Sequence, residues 1–360
     1  MTHAGLSRRH FLSRAGLVAG ASIVTPLFLA GCNDPSKSAA AGASSTAGSS
    51  AGGTTNVSTQ ISWLVDNGQL GEAVAIGKGW FADNGLNLNI KPGGPSTDGI
   101  SLVAGGQSQI GKHSSSPSVM LARSQSIPVK CFAVGVQEHP FAYFSKPDKA
   151  VHEPKDLIGK TVGTQATGQI LLSALLAAND IDPKDVNVVV VGSDVTPLIT
   201  GQVDVWTGWV SNIAALRPLG KDYVAMRLWD AGIRLYAYPY YTTDQVISSN
   251  SDMLVKYLEA AGKGWEFANE NVEEAVDYLV KLVPTLNKDD MVAQSKALLP
   301  FAFGDTTKKA GWGAMDKDVW QDQIDMWNKL EQFKGAAPTV DDVATFDILD
   351  ATADSRPKVG

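Results

Sequence analysis

The distribution of apolar and polar positions divides the chain near residue 58. Beyond that point short apolar or β-branched runs alternate with segments of helical period, separated by glycine and polar breaks. Residues 61–65 (Ile-Ser-Trp-Leu-Val) read as a strand, 72–78 as a helix closed by Gly79, and 86–90 as a second strand. A helix over 96–104 ends at Gly105-Gly106, a short strand covers 109–111, Pro117 opens a helix over 117–123, and 129–136 is a strong β run. A second unit opens near Pro154, with strands at 160–163, 186–191 and 203–206 around helices at 167–179 and 196–201. After 246–248 the pattern turns helical over 252–270, 272–282, 288–298 and 318–333, with Asn250 and Asn271 as expected N-caps. Strands alternating with helices predict a largely parallel α/β sheet in each unit. The late helical return predicts two hinged lobes, the first built from both ends of the chain. Their expected bounds are 59–145 with 243–345, and 146–242, leaving 346–360 as a tail.

The residues before 59 have another character. Ser7-Arg8-Arg9-His10-Phe11-Leu12 has the form of a twin-arginine export signal, and a mildly apolar run from Ala15 to Ala30 follows. That run is short of the ~20 apolar residues a membrane span needs. It ends in Leu29-Ala30-Gly31-Cys32, which resembles a bacterial lipoprotein cleavage box, so Cys32 is the expected lipidated residue. An ordinary cleaved signal with an incidental cysteine is the alternative. Residues 33–58, almost wholly Ala, Gly, Ser and Thr, predict a flexible leash of roughly 25–30 Å r.m.s. reach.

Charge and cysteine content narrow the function. The net charge is −7, and residues 33–360 carry 27 basic against 37 acidic side chains, which argues against nucleic acid or an anionic membrane surface as partner. Cys131 is the one cysteine besides Cys32 and sits in an apolar run, so it reads as a small buried hydrophobe rather than a nucleophile or half a disulfide. His113 and His139 lack metal-ligand spacing, and residues 71–78 miss a phosphate-loop pattern, so neither metal nor cofactor is expected.

Four segments resemble the periplasmic-type solute-binding proteins of the nitrate/taurine/sulfonate class: Gly-Trp-Phe-Ala-Asp-Asn-Gly-Leu (79–86), Leu-Val-Ala-Gly-Gly-Gln (102–107), Glu-Pro-Lys-Asp-Leu-Ile-Gly-Lys-Thr-Val-Gly (153–163) and Gly-Trp-Gly-Ala-Met-Asp (311–316). The last is similar to the branch that binds thiamine-pyrimidine precursors. The resemblance implies a two-lobed periplasmic-binding-protein (type II) fold, one ligand in the interlobe cleft, an ABC permease and its ATPase as partners, and no catalysis. With the N-terminal signal and Cys32, the expectation is an exported, lipid-anchored, monomeric receptor at the periplasmic or cell-surface side of a membrane. Trp63 matches that branch, whereas Val65-Asp66 and Gln69 stand where it has Pro-Asn and a histidine.

Ligands of α/β sheets sit at strand carboxyl ends near helix starts. Three segments meet that rule: 66–69, with Asp66 and Gln69; 111–116, with Ser114, Ser115 and Ser116; and 163–168, with Thr164, Gln165 and Thr167. Each serves equally well as a helix cap. Trp63, Trp206, Trp209 and Tyr238 are candidate walls for a planar ring, with core packing as the alternative. Glu138, like Asp66 and Asp204, is a candidate acceptor for ring amines. These residues favour a small heterocycle of pyrimidine or vitamin-precursor type. A taurine, alkanesulfonate or nitrate binder, or an enzyme of pyrimidine-precursor synthesis on the same scaffold, are the competing readings.

Overall fold

The computed structural model of the chain describes residues 53–94, 97–165 and 168–359. The expected signal peptide, Cys32 and residues 33–52 of the leash lie outside the described residues. Among the described residues ten strands form two five-stranded sheets. Four come first: β1 (Thr55–Ile61), β2 (Leu86–Lys91), β3 (Ile110–Lys112) and β4 (Val129–Val136). The chain then crosses into β5 (Phe141–Ser145), β6 (Thr161–Thr164), β7 (Asn187–Val190), β8 (Val205–Trp209) and β9 (Val224–Arg227) before β10 (Ala237–Thr243) returns. The sheet orders are β2-β1-β3-β10-β4 and β7-β6-β8-β5-β9. In each, three parallel strands meet a strand from the crossing region that runs antiparallel to its neighbours, β10 in one sheet and β5 in the other.

Several elements differ from the expected ones for identifiable reasons. β1 begins at Thr55 and ends at Ile61, so part of the predicted leash is strand and Trp63 lies in the turn beyond it. Thr-Asn-Val-Ser looked like linker because its residues are small and polar. Pairing with β2 in register Thr55↔Leu86 to Gln60↔Lys91, with Val57, Thr59 and Ile61 buried, makes it a strand. β5 belongs to the second sheet and β10 to the first, which puts the crossings at 137–140 and 228–236, several residues inside the predicted bounds. Residues 346–359 are no free tail. A helix at Asp347–Ala351 packs on the first lobe, and buried Arg356 donates to the carbonyls of Trp312 (2.8 Å) and Leu349 (3.1 Å). Asn250 and Asn271 occupy N-cap positions, yet neither side chain makes a capping bond.

The first lobe holds the larger core. Trp265, Trp312, Trp320 and Trp327 are fully buried, and Trp265 stacks on Trp312 at 5.7 Å and 21°. Close approach of the helices Leu70–Gly77 and Ser251–Glu270 depends on two glycines. A Cβ on Gly264 would strike the Gly71 carbonyl, and one on Gly71 would strike the Trp265 ring. That contact presses Glu72 into the core beside the carboxyl end of β3. Cys131 is buried in β4, its Sγ against the Ala133 carbonyl at 3.2 Å, and burial pushes its thiol pKa far up, so it is a packing residue. Among the described residues no helix is long and apolar enough to cross a membrane.

Candidate ligand-binding site

The carboxyl ends of β1, β3, β6 and β8 converge on a cavity of about 460 Å³ between the two sheets, within the size range of small-molecule sites. Each wall follows from local chain geometry. Beyond β1, Trp63 and Leu64 stand at 43% and 56% exposure on the rim. Asp66 then caps a short 3-10 turn: its Oδ1 accepts from the Gly68 N–H (2.8 Å), and Gln69 Oε1 accepts from the Asp66 N–H (3.0 Å). Asp66 and Gln69 both line the cavity, each already spending one bond on the turn. Burial raises the Asp66 carboxyl pKa, while the Gly68 N–H and the Lys112 charge hold it down.

Lys112 ends β3 fully buried, with its ammonium on Glu72 Oε1 (2.7 Å) and on the Gly68 carbonyl. Tyr240 also donates to Glu72 Oε1 (2.7 Å), and the Lys112 Nζ lies 4.6 Å from the Tyr240 ring and 5.0 Å from that of Tyr238. Burial pulls the Lys112 pKa down against the opposing pull of Glu72 and Asp66. Its charge is thus matched before any ligand arrives. His113, Ser114 and Ser115 follow it into the lining, with Ser62 and Ser114 sharing a hydroxyl contact of 3.0 Å.

Tyr238 holds an unusual backbone for an aromatic residue, φ +52°, in the left-handed region that costs roughly 1–2 kcal/mol. Strand pairing on both sides fixes it: Ala237 opposes Val136, Pro239 opposes Val134, and the His113 N–H bonds the Pro239 carbonyl at 3.1 Å. Its ring then sits 5.3 Å from Trp209, and Trp209 meets His139 at 5.1 Å. The Tyr238 hydroxyl end also packs on Gly68, where a Cβ would collide with it. Trp209, Tyr238, His139 and Phe141 therefore form a continuous aromatic wall.

Trp63, Asp66, Gln69, Ser114, Ser115, Gln165, Trp206, Trp209 and Tyr238 all line this cavity. Other candidates do not. Ser116 is fully buried and turned inward, donating to Gln323 Oε1 (2.5 Å) and accepting from the Tyr236 N–H (3.2 Å). Glu138 pairs with Arg227 at 2.5 Å, and Asp204 with Lys149 and the Thr161 N–H, away from the lining. Thr164 lies behind the wall, bonded to the Thr207 hydroxyl at 2.7 Å. Thr167 lies outside the described residues. Of the tyrosines near the return crossing, Tyr236, Tyr240 and Tyr241 are core residues. The lining also holds Ser62, Phe141, Asn212 and Gln294, outside the three predicted segments, and Lys112, which lies within 111–116 but is not one of its predicted contacts. A lysine between the apolar Ile110 and the serine run was the one available signal, because lysine is rarely buried without a partner. Among the described residues no cluster of His, Cys, Asp and Glu is set to hold a metal ion.

The model of the family described as NMT1/THI5 like matches residues 68–275. The chain belongs to that family. This NMT1/THI5-like protein is 28% identical over 231 residues to a riboflavin-binding protein of Chloroflexus aurantiacus, covering 62% of the present chain and 64% of the relative's length. It is 26% identical over 269 residues to a formylaminopyrimidine-binding protein of Halalkalibacterium halodurans, covering 72% and 81%. Among solved structures it is similar to the periplasmic aliphatic sulphonate binding protein of Escherichia coli, with a TM-score of 0.62 at 14% identity over 80% of this chain and 96% of that one. That likeness gives the two-lobed binding-protein fold.

Proposed function

We propose that this protein is an extracytoplasmic receptor of an ABC importer that captures a small planar heterocycle between its two lobes. The observation that carries the reading is the cavity's lining: an aromatic wall opposite hydroxyl and carboxyl groups, whose one lysine is already neutralised by Glu72. Aromatic faces stack on planar rings, and a bare oxyanion needs a free cation or a bidentate guanidinium that this lining does not offer. The riboflavin- and formylaminopyrimidine-binding relatives support the same class. A fold shared with binding proteins does not decide between receptor and enzyme. Two features of the structure favour the receptor: Cys131 is sealed in the core away from the cavity, and the lining hydroxyls of Ser62 and Ser114 bond each other rather than a histidine base.

The reading includes export by the twin-arginine signal, anchoring through lipidated Cys32, a leash that lets the monomeric body reach its permease, and no catalytic turnover. A thermal-shift series on the purified full-length chain tests it, using riboflavin, formylaminopyrimidine, taurine and nitrate. A heterocycle at about a hundredfold excess over its Kd is expected to add about 2.7 kcal/mol and raise the midpoint. A rise with taurine or nitrate alone would replace the heterocycle with an anion.

A further inference from the structure

Three buried polar atoms on residues of the cavity lining have no partner: His139 Nε2, Trp206 Nε1 and Ser115 Oγ. His139 is the most informative. It is 2% exposed, and its Nδ1 accepts the Phe141 N–H at 3.3 Å. An imidazole that accepts at Nδ1 carries its proton on Nε2 when neutral, so Nε2–H is a donor. The Ser114 carbonyl favours the charged ring without reaching hydrogen-bond geometry, and burial outweighs it, holding the pKa at about 3. A neutral donor is therefore buried within the aromatic wall, between Phe141 and Trp209, without a hydrogen-bond partner. At the Tyr238 end of that wall, where the phenol packs on Gly68, Asp66 keeps Oδ2 free of the bond its Oδ1 makes to Gly68.

Resting on the heterocycle reading, we infer that the ligand is a neutral or cationic lactam-like or amino-azine ring read at two ends. A carbonyl oxygen or ring nitrogen accepts from His139 Nε2–H, and a ring N–H or amino group donates to Asp66. Trp209 and Tyr238 carry the face between them. The charge balance disfavours an anion: Lys112 is committed to Glu72, so an anion would sit beside Asp66 with no cation of its own. His139 and Asp66 are then specificity-determining residues, one for each edge.

Titration calorimetry on the full-length chain, with riboflavin and formylaminopyrimidine as probes and taurine as the anion control, decides this. His139→Phe keeps an aromatic ring against Trp209 and removes the donor, and is expected to weaken the bound heterocycle about 10- to 100-fold. His139→Gln, which restores an N–H, is expected to recover part of the loss. Asp66→Asn keeps an oxygen for the Gly68 cap but turns the free end into a donor, and is expected to weaken the heterocycle about tenfold or more. Equal affinities, within twofold, in wild type, His139→Phe and Asp66→Asn would overturn the two-ended reading and leave the receptor function standing. Taurine binding more tightly than both heterocycles to the wild type would overturn both. Should His139→Phe fail to fold by thermal midpoint, Asp66→Asn and His139→Gln carry the decision.

Discussion

The buried polar groups behind the cavity and those around it are treated differently by the fold. Behind it, Glu72 and Tyr240 are satisfied together with Lys112, which reaches back from the lining: the ammonium has the Glu72 carboxylate and the Gly68 carbonyl, the phenol has the same carboxylate, and only Glu72 Oε2 is left over. Around it, His139, Trp206 and Ser115 each hold a polar atom with no partner. An unpaired buried polar group costs about 1–3 kcal/mol; the fold leaves others in its interior, Tyr143 and Trp327 among them, but these three stand at a cavity where a ligand can supply the missing bond. The first group thus sets the shape of the site, while the second waits for something to complete it. Substitutions behind the cavity should register in stability, and substitutions around it in affinity.

The sharpest way to break that division is to cut the ion pair. Glu72→Leu leaves the Lys112 ammonium buried against rings and one carbonyl, and is expected to cost about 3–5 kcal/mol. Urea unfolding of the variant measures it. Replacing both partners, Glu72→Leu with Lys112→Met, removes the uncompensated charge and is expected to recover most of the loss. A single variant losing under about 1 kcal/mol would mean that water reaches the pair, contradicting its 1% exposure.

The ion pair also shows how far the sequence could be read. Alternating apolar runs predicted two α/β lobes because alternation is a local signal, and the strand-end rule led to Asp66, Ser114, Ser115 and Gln165. What stayed hidden was partnership across distance. Glu72 and Lys112 lie 40 residues apart, Ser116 bonds Gln323 across 207, and Glu138 finds Arg227 across 89. Nothing in the Ser114-Ser115-Ser116 run says which hydroxyl turns inward. The start of the helix Pro117–Ser124 does, by giving Ser116 helical φ and ψ of −61° and −35°. β1 was misplaced for the same reason, since its identity rests on β2 thirty residues on.

Acid titration sharpens the comparison next. Burial holds His113 at about 4 and His139 at about 3, against an ordinary value of 6.5. Below pH 6.5 the unfolded chain takes up protons that the native chain refuses, so native stability falls as pH falls. Each histidine contributes a slope approaching 1.4 kcal/mol per pH unit, down to about pH 4 for His113 and pH 3 for His139. Asp66, raised by burial, opposes this only at the acid end of the window. Urea midpoints at several values between pH 7 and 4 are expected to decline, and His113→Gln with His139→Gln is expected to flatten the decline. An unchanged slope in that variant would show that both rings are hydrated. Within the wall itself, Trp209→Leu removes the contacts to His139 and Tyr238 and is expected to weaken ligand binding about 5- to 30-fold. Calorimetry reads this with whichever heterocycle raises the midpoint.

The smallest expected effect on stability belongs to Trp63, and it bears most directly on how the cavity closes. Trp63 sits on the rim at 43% exposure beside Leu64 at 56%, in the turn whose backbone is held by the Gly93 N–H on the Trp63 carbonyl at 2.8 Å. That bond belongs to the main chain, so Trp63→Ala leaves the turn intact and should change unfolding free energy by no more than about 0.5 kcal/mol. A large apolar side chain left half in water gains most when a ligand or the opposing lobe covers it. Covering it on binding returns about 25 cal/mol for each Å² removed from water. The substitution is therefore expected to weaken heterocycle binding several-fold through a faster off-rate, with little change in on-rate. Stopped-flow tryptophan fluorescence separates the two rates. A loss confined to the on-rate would make Trp63 a feature of the encounter, and the aromatic contacts of the bound state would then belong to Trp209 and Tyr238 alone.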